Sequence, residues 1–540
     1  MDLRFSKIIL LFLVLCCHAS AKDNIDNFIK QQNSSDYNAY KEQKVQRQNV
    51  YSNTESKVFR LGDLPEEENC FVINNLILKN DFLKGSADRA IKNEILGRCV
   101  GNASVVKIAT ALQDFYINAG YITTRITLPS QNISTGILTL NVEAGKIDEI
   151  IIEDKDVNTW MLPFKKEDLL NIRDIEQGLE NLQQVPNVNV NISIEPGTRH
   201  GYSNIRIATH REKNWNIRAG YSNWGNKDTG RYLTSIVGYL YNMTNFSDLV
   251  YLAGTRSTTG NYENVSAYYS LPVEYWNYSL LYSGSTSRQA IPLNYASLDY
   301  VGKSDYWSAK VSRTVYRNKS RIISGSLEFI RRKSAYKING QELVLQKRDM
   351  DNVKVGINYK QQFDNAYWDS SLSWQRFLRL FGAEKTPDMV YGDVSSVSQI
   401  FSLDSTYSRA LGGNIYSANF FAQYAPRELT LQDQMTLGER WNVRGFENSV
   451  GLNSKSGYYL QNTLYRPVGF FDANYYGGID IGQVKQDSTY GDKILIGAAL
   501  GIQGNIKSLM WDTSLSVPVK YPDNFSVDKI NLNFNLAYRL

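Results

Sequence analysis

From about residue 213 to the end of the chain, apolar and polar residues trade places one by one. Val353, Val355, Ile357 and Tyr359 alternate with Lys354, Gly356, Asn358 and Lys360, and Trp276, Tyr278, Leu280 and Tyr282 alternate with Asn277, Ser279, Leu281 and Ser283. The same grammar runs through Tyr416, Ala418, Phe420, Ala422 and Tyr424 against Ser417, Asn419, Phe421 and Gln423. The chain finishes on Leu532, Phe534, Leu536, Tyr538 and Leu540 against Asn533, Asn535, Ala537 and Arg539. A period of two puts each set on one face of a strand. A soluble sandwich packs its apolar faces on a second sheet, whereas a membrane barrel turns them to lipid and lines its lumen with the polar face. The region 213–540 is too long for one ordinary sandwich. At roughly 20 residues per strand and connection it holds about 16 strands, an even number as bacterial barrels require. The pattern predicts a transmembrane β-barrel, whose closure removes the strand edges that a bilayer does not tolerate.

Ahead of the barrel the period lengthens. "CFVINNLIL" reads as a strand, and "ASVVKIATALQDFYINAG" sets Val105, Ile108, Leu112 and Phe115 on one helical face before Gly120 stops the helix. "YITTRITL" and "GILTLNVEAG" follow as strands. A second unit repeats the theme: "KIDEIIIED" as a strand, a helix aligning Ile175, Leu179 and Leu182, then the strands "NVNISI" and "SNIRIATH". Two small α+β modules, at 69–145 and 146–212, are expected before the barrel at 213–540.

The first 21 residues carry Arg4, Lys7, an apolar run from Ile8 to Cys17 and an Ala19-Ser20-Ala21 cleavage site, the marks of an export signal peptide. Residues 22–68 are polar, apart from a short amphipathic stretch through Ile25, Phe28 and Ile29. Past the signal only Cys70 and Cys99 remain among cysteines. In an oxidising compartment they read as one disulfide, with two free buried thiols as the alternative. Two histidines, His200 and His210, with no cysteine cluster beside them offer no zinc site, and no catalytic or nucleotide motif occurs, so neither an enzyme nor a cofactor is expected. A net charge of +5, spread over 540 residues, makes no case for nucleic acid. The 36 tyrosines and 9 tryptophans fit a barrel with aromatic girdles.

Several stretches then fall together. "GYITTRITLPSQNISTGILTLNVEAGKI", "RDIEQGLENLQQVP", "GYSNWGNKDTGR", "LGERWNVRGFENS" and "GGIDIG" resemble the two-partner secretion transporters, outer-membrane barrels that export haemolysins, adhesins and contact-dependent toxins and share a superfamily with the barrel-assembly insertase. The resemblance implies two periplasmic POTRA domains and, in the stretch around Asn24 to Lys30, a plug helix for the lumen. It also implies that Val443, Arg444, Gly445 and Phe446 form the tip of a loop folded into the barrel, with Arg444 meeting Asp480 of the barrel wall, next to Gly482. A guanidinium fork suits a carboxylate, and a glycine at 445 permits close backbone approach. The chain departs from the family in having Glu439 and Arg440 after Gly438, Thr463 where a glutamate is common, and Leu540 as its last residue.

The function this implies is secretion of one large unfolded partner protein, with outer-membrane lipids around the barrel and the barrel-assembly machinery inserting it. An insertase and a passive porin are the alternatives, and an Arg444 that only stabilises the barrel is the alternative at the tip.

Overall fold

The computed structural model describes residues 61–540 apart from 62, 84, 187, 293–296, 393, 396–397, 448–450, 486–492, 524 and 526. The expected signal peptide at 1–21 and the amphipathic stretch at 24–30 lie outside the described residues.

The first unit runs β1 (Phe71–Val72), β2 (Asn75–Lys79), α1 (Ser86–Ile95), β3 (Cys99–Val100), α2 (Asn102–Asn118), β4 (Arg125–Thr127) and β5 (Ile137–Glu143). β5 is central, parallel to β2 and antiparallel to β4. Val105, Ile108, Leu112 and Tyr116 of α2 bury one face against Leu76, Leu138 and Leu140 of that sheet. Cys70 and Cys99 are joined, their Cα atoms 5.2 Å apart. The bridge reinforces the β1–β3 ladder, in which Val72 faces Cys99.

The N-terminus of α2 starts at Gly101, which has no side chain to cap it. Glu67 supplies the missing acceptor from 34 residues away in the sequence. Its carboxylate accepts from the N–H groups of Gly101, Ala103 and Ser104 and from the Ser104 hydroxyl at 2.6–3.1 Å, where the helix dipole also favours negative charge. The Ser104 hydroxyl first, and the three N–H groups with it, hold this carboxyl below its ordinary range. Its contribution is therefore complete above the unfolded-state value near 4.3 and fades as pH falls through the lowered folded one. Because Leu61 and Leu64 pack into the same core, the cap fastens the segment 61–69 to the unit. Hydrogen exchange should show the amides of Ala103 and Ser104 protected at neutral pH and progressively deprotected as pH falls below the ordinary carboxylate range; Glu67→Gln should weaken that protection at neutral pH and flatten the acid step.

The second unit contains β6 (Lys146–Ile152), α3 (Ile172–Leu182), β7 (Val188–Pro196) and β8 (Tyr202–Arg211), with β8 between the other two strands. Asn171 caps α3 through the Arg173 N–H at 2.9 Å. Asp148 closes the β7–β8 turn by accepting from Thr198 and from Arg199, 2.7 Å away, and these partners, Thr198 first, hold its carboxyl well below the usual range.

The barrel begins with β9 (Trp215–Ser222), β10 (Leu233–Tyr241), β11 (Leu249–Ser257) and β12 (Tyr262–Val273). It continues through β13 (Trp276–Pro292), β14 (Ser297–Arg317), β15 (Arg321–Ile338) and β16 (Arg348–Gln362). Then come β17 (Ala366–Leu378), β18 (Gln399–Leu411), β19 (Asn414–Tyr424) and β20 (Ser456–Pro467). The last four are β21 (Asn474–Lys485), β22 (Lys493–Ile506), β23 (Leu509–Lys520) and β24 (Asn531–Arg539). Among the described residues, 16 antiparallel strands close the barrel through β24 and β9. Connections on the side of the two units are short, such as 274–275, 412–413 and 507–508, while the opposite end carries 379–398 and 425–455.

Burial in the wall is inverted relative to a soluble protein. Leu280, Ile357, Leu372 and Leu500 point outward and are exposed, while Asn264, Ser266, Ser283, Ser373 and Thr406 face the interior and are buried. Trp276, Tyr316 and Tyr475 sit at one rim of the apolar band, and Phe401, Tyr424 and Tyr458 at the other, as interfacial aromatics do. Inside, small hydroxyls and amides bond one another, for example Asn264 Nδ2 to Ser283 Oγ at 2.9 Å and Ser373 to Ser402 at 2.7 Å. The inner wall there is polar.

The second unit is seated on the barrel's near rim. Asn181 of α3 donates to the Glu274 carbonyl at 2.7 Å, Asn242 to that of Asp156 at 2.9 Å, and the Tyr275 hydroxyl to Asp174. Burial pushes the Asp174 carboxyl up. Val185 and Val188 pack on the inward-facing Tyr239, Tyr241 and Tyr251, which sets the unit against the mouth of the lumen.

Candidate functional site

The connection 425–455 leaves β19 at the far rim and returns to β20. Rather than projecting outward, it enters the barrel as a short hairpin, Met435–Leu437 against Leu452–Ser454. Asn442 shapes the descent: its carbonyl oxygen accepts from the N–H groups of Gly438, Glu439 and Val443 at 2.7–3.0 Å, and its amide donates to the Thr436 carbonyl at 3.1 Å. Gly438 there takes a φ of +96°, which a side chain would resist.

At the tip, Arg444 meets Asp480. Nε and Nη2 donate to the two carboxylate oxygens at 2.6 and 2.7 Å, and the Arg444 backbone N–H adds a third bond at 3.0 Å. Asp480 is wholly buried and Arg444 nearly so. Asn462 of β20 completes the cluster with its backbone. Its carbonyl accepts from Arg444 Nη2 at 2.7 Å and its N–H donates to Asp480 Oδ1 at 3.2 Å. The β20–β21 ladder breaks between Gln461↔Asp480 and Leu464↔Gly477, so the wall gives up part of its own pairing here to bind the ion pair.

Glycines make room for this approach. A Cβ on Gly497 of β22 would lie 1.7 Å from the Arg444 carbonyl oxygen, and one on Gly478 1.7 Å from that of Asn462. Gly445 has φ +101° and passes so near Val517 that a Cβ would come within 2.4 Å of its carbonyl oxygen. Gly482 faces Val443, whose Cγ2 would be 2.8 Å from an added Cβ. Val443 and Phe446 are fully buried among Leu437, Val484 and Leu495, and Phe446 meets the rings of Tyr521 and Phe525 at 6.2 and 6.1 Å. Above the tip, the Arg440 guanidinium lies 4.2 Å over the Trp224 ring, and Trp224 meets Trp441 edge to face at 5.3 Å.

The structure thus brings together Val443, Arg444, Gly445, Phe446, Asp480 and Gly482, while Cys70 and Cys99 lie away from this site in the first unit. Asn462, Gly478 and Gly497 were not singled out in the sequence. Asn462 meets the ion pair through its backbone, while its side-chain amide donates to the Ile479 carbonyl at 3.0 Å; the density of glycine in "YYGGIDIG" was a usable signal.

A family model for the haemolysin secretion/activation protein ShlB/FhaC/HecB matches residues 201–504. The chain belongs to that family. Models of the ShlB-type POTRA domain and of a POTRA domain match 71–145 and 146–196. The outer membrane transporter CdiB-2 of Burkholderia pseudomallei (strain 1026b) is 27% identical over 462 residues, covering 82% of this chain and 79% of its own. The hemolysin transporter protein HpmB of Proteus mirabilis is 25% identical over 461 residues, 82% of either chain. The solved CdiB from Escherichia coli superposes with a TM-score of 0.85 at 22% identity, over 97% of this chain and all of that one, which shows a shared fold. As a member of the ShlB/FhaC/HecB family the protein is an outer-membrane transporter, and its two POTRA units lie in the periplasm. The short turns are thus periplasmic, and the loop 425–455 enters the lumen from the cell surface.

Proposed function

We propose that this chain exports one large partner protein of the haemolysin, adhesin or contact-dependent toxin class through its own lumen. The observation that supports this most is the continuity of three parts: POTRA units seated on the lumen mouth, a polar inner wall, and a surface loop held inside by Arg444–Asp480. An extended polypeptide passes most readily along a polar wall that does not bind it tightly. The strand edges of the POTRA units offer such a segment main-chain hydrogen bonds. In this reading the protein performs transport and no chemical step, and folding of the partner at the surface supplies direction. Outer-membrane lipids meet the apolar band, and the barrel-assembly machinery inserts the barrel.

The test is release of a large β-rich product encoded beside this chain. Cells with the intact protein should release it, and cells lacking the protein, or carrying the barrel without residues 69–211, should retain it. A passive porin keeps its conductance after that deletion, and an insertase would change the amounts of other barrels instead. Equal release in all three strains would refute export.

A further inference from the structure

Glu447 lies just past the tip, and the Arg444–Asp480 pair makes no use of it. Its Oε2 accepts from the Gly445 N–H at 2.9 Å. Its Oε1 accepts from Ser516 Oγ of β23 at 2.7 Å and from Asn533 Nδ2 of β24 at 3.2 Å. Asn531 of β24 adds a bond to the Gly445 carbonyl at 2.8 Å. Ser516, Asn531 and Asn533 are all nearly or fully buried. Asp480 stands on β21, so these contacts grip the tip from a different part of the wall.

We propose that Glu447 is a second positioning residue for the loop tip, fastening it to β23 and to the last strand, β24, through a carboxylate that accepts from neutral donors. The tip is then held at two points of different chemistry, an ion pair on one side and a set of hydrogen bonds on the other. Leaving the lumen requires both to break, so Glu447 sets how often the tip unseats. The Gly445 N–H, the Ser516 hydroxyl and the Asn533 amide all donate to this carboxylate, so both of its oxygens are needed as acceptors. A glutamine has one amide oxygen. Turned toward Ser516 and Asn533, it sets its NH2 against the Gly445 N–H; turned the other way, it sets its NH2 against that of Asn533.

The readout of secretion rests on the export reading above, whereas conductance does not. The purified full-length protein in planar bilayers should spend about 5- to 30-fold more time in high-conductance states with Glu447→Gln, the change expected for losing one or two buried hydrogen bonds. Its level in the outer membrane and its heat-modifiable migration should stay as in the parent. Ser516→Ala and Asn533→Ala, which leave the loop itself intact, should each move conductance the same way, and Ser516→Ala should add little in a Glu447→Gln background. Parent-like conductance of Glu447→Gln, or an undiminished effect of Ser516→Ala in that background, would overturn the proposal. If the conductance changes hold while no partner is released even by the parent, the second fastening stands and the export reading fails.

Discussion

Replacing Arg444 with alanine is expected to stop partner release while leaving an assembled barrel in the outer membrane. Asp480 is fully buried and takes its charge-assisted bonds from this one guanidinium. Removing one member of a buried pair strands the other and costs about 3–5 kcal/mol. That is at least two orders of magnitude in the ratio of seated to unseated tips. The wall does not depend on the pair for closure, because the strand ladder runs around the whole barrel. Immunodetection of the partner in the medium, normalised to heat-modifiable barrel in the outer membrane, separates the two effects. Arg444→Lys should recover part of the loss, since an ammonium restores the charge but cannot span both Asp480 oxygens and the Asn462 carbonyl together. If the folded Arg444→Ala protein releases the partner normally, Arg444 serves only the barrel's stability.

Gly497→Ala should be nearly as damaging, although it leaves both charges in place. The added methyl would sit 1.7 Å from the Arg444 carbonyl oxygen. Both atoms belong to, or hang directly from, backbone, so no side-chain rotation relieves the clash and the tip itself must lift away. Hydrogen bonds of 2.6–3.0 Å between Arg444 and Asp480 do not survive a shift of an ångström or more. Gly325→Ala is the control: Gly325 is also a wall glycine, on β15, but nothing lies within 4 Å of its added Cβ. Partner release should collapse with Gly497→Ala and persist with Gly325→Ala. Equal release from both would mean that the seated position of the tip is irrelevant to export.

Much of this architecture was legible in the sequence because its physics is periodic. Alternation at 353–360 and 276–283 reads directly as a two-faced strand, and the outward placement of Ile357 and Leu280 follows from it. Arg444 and Asp480 were readable only because the stretches around them resemble a family; nothing local to "VRGF" says that its partner lies 36 residues on. The contacts that escaped are those in which residue type carries no message. Asn462 contributes backbone groups, and Gly497 contributes the absence of a side chain. Glu67 caps a helix from 34 residues upstream, and Asn531 reaches Gly445 across 86 residues. Such pairings are fixed by closure of the barrel and by packing of the module, neither of which is a local property.

The passage of the partner is tested most directly by a photo-crosslinking side chain placed on β16. At position 354 it points into the lumen and at position 357 toward lipid, since Ile357 is among the exposed apolar residues of the wall. With a partner stalled in transit, crosslinking should yield a covalent adduct from position 354 and none from position 357. Continued release of the partner with no adduct from position 354, or equal adducts from both positions, would contradict export through the barrel.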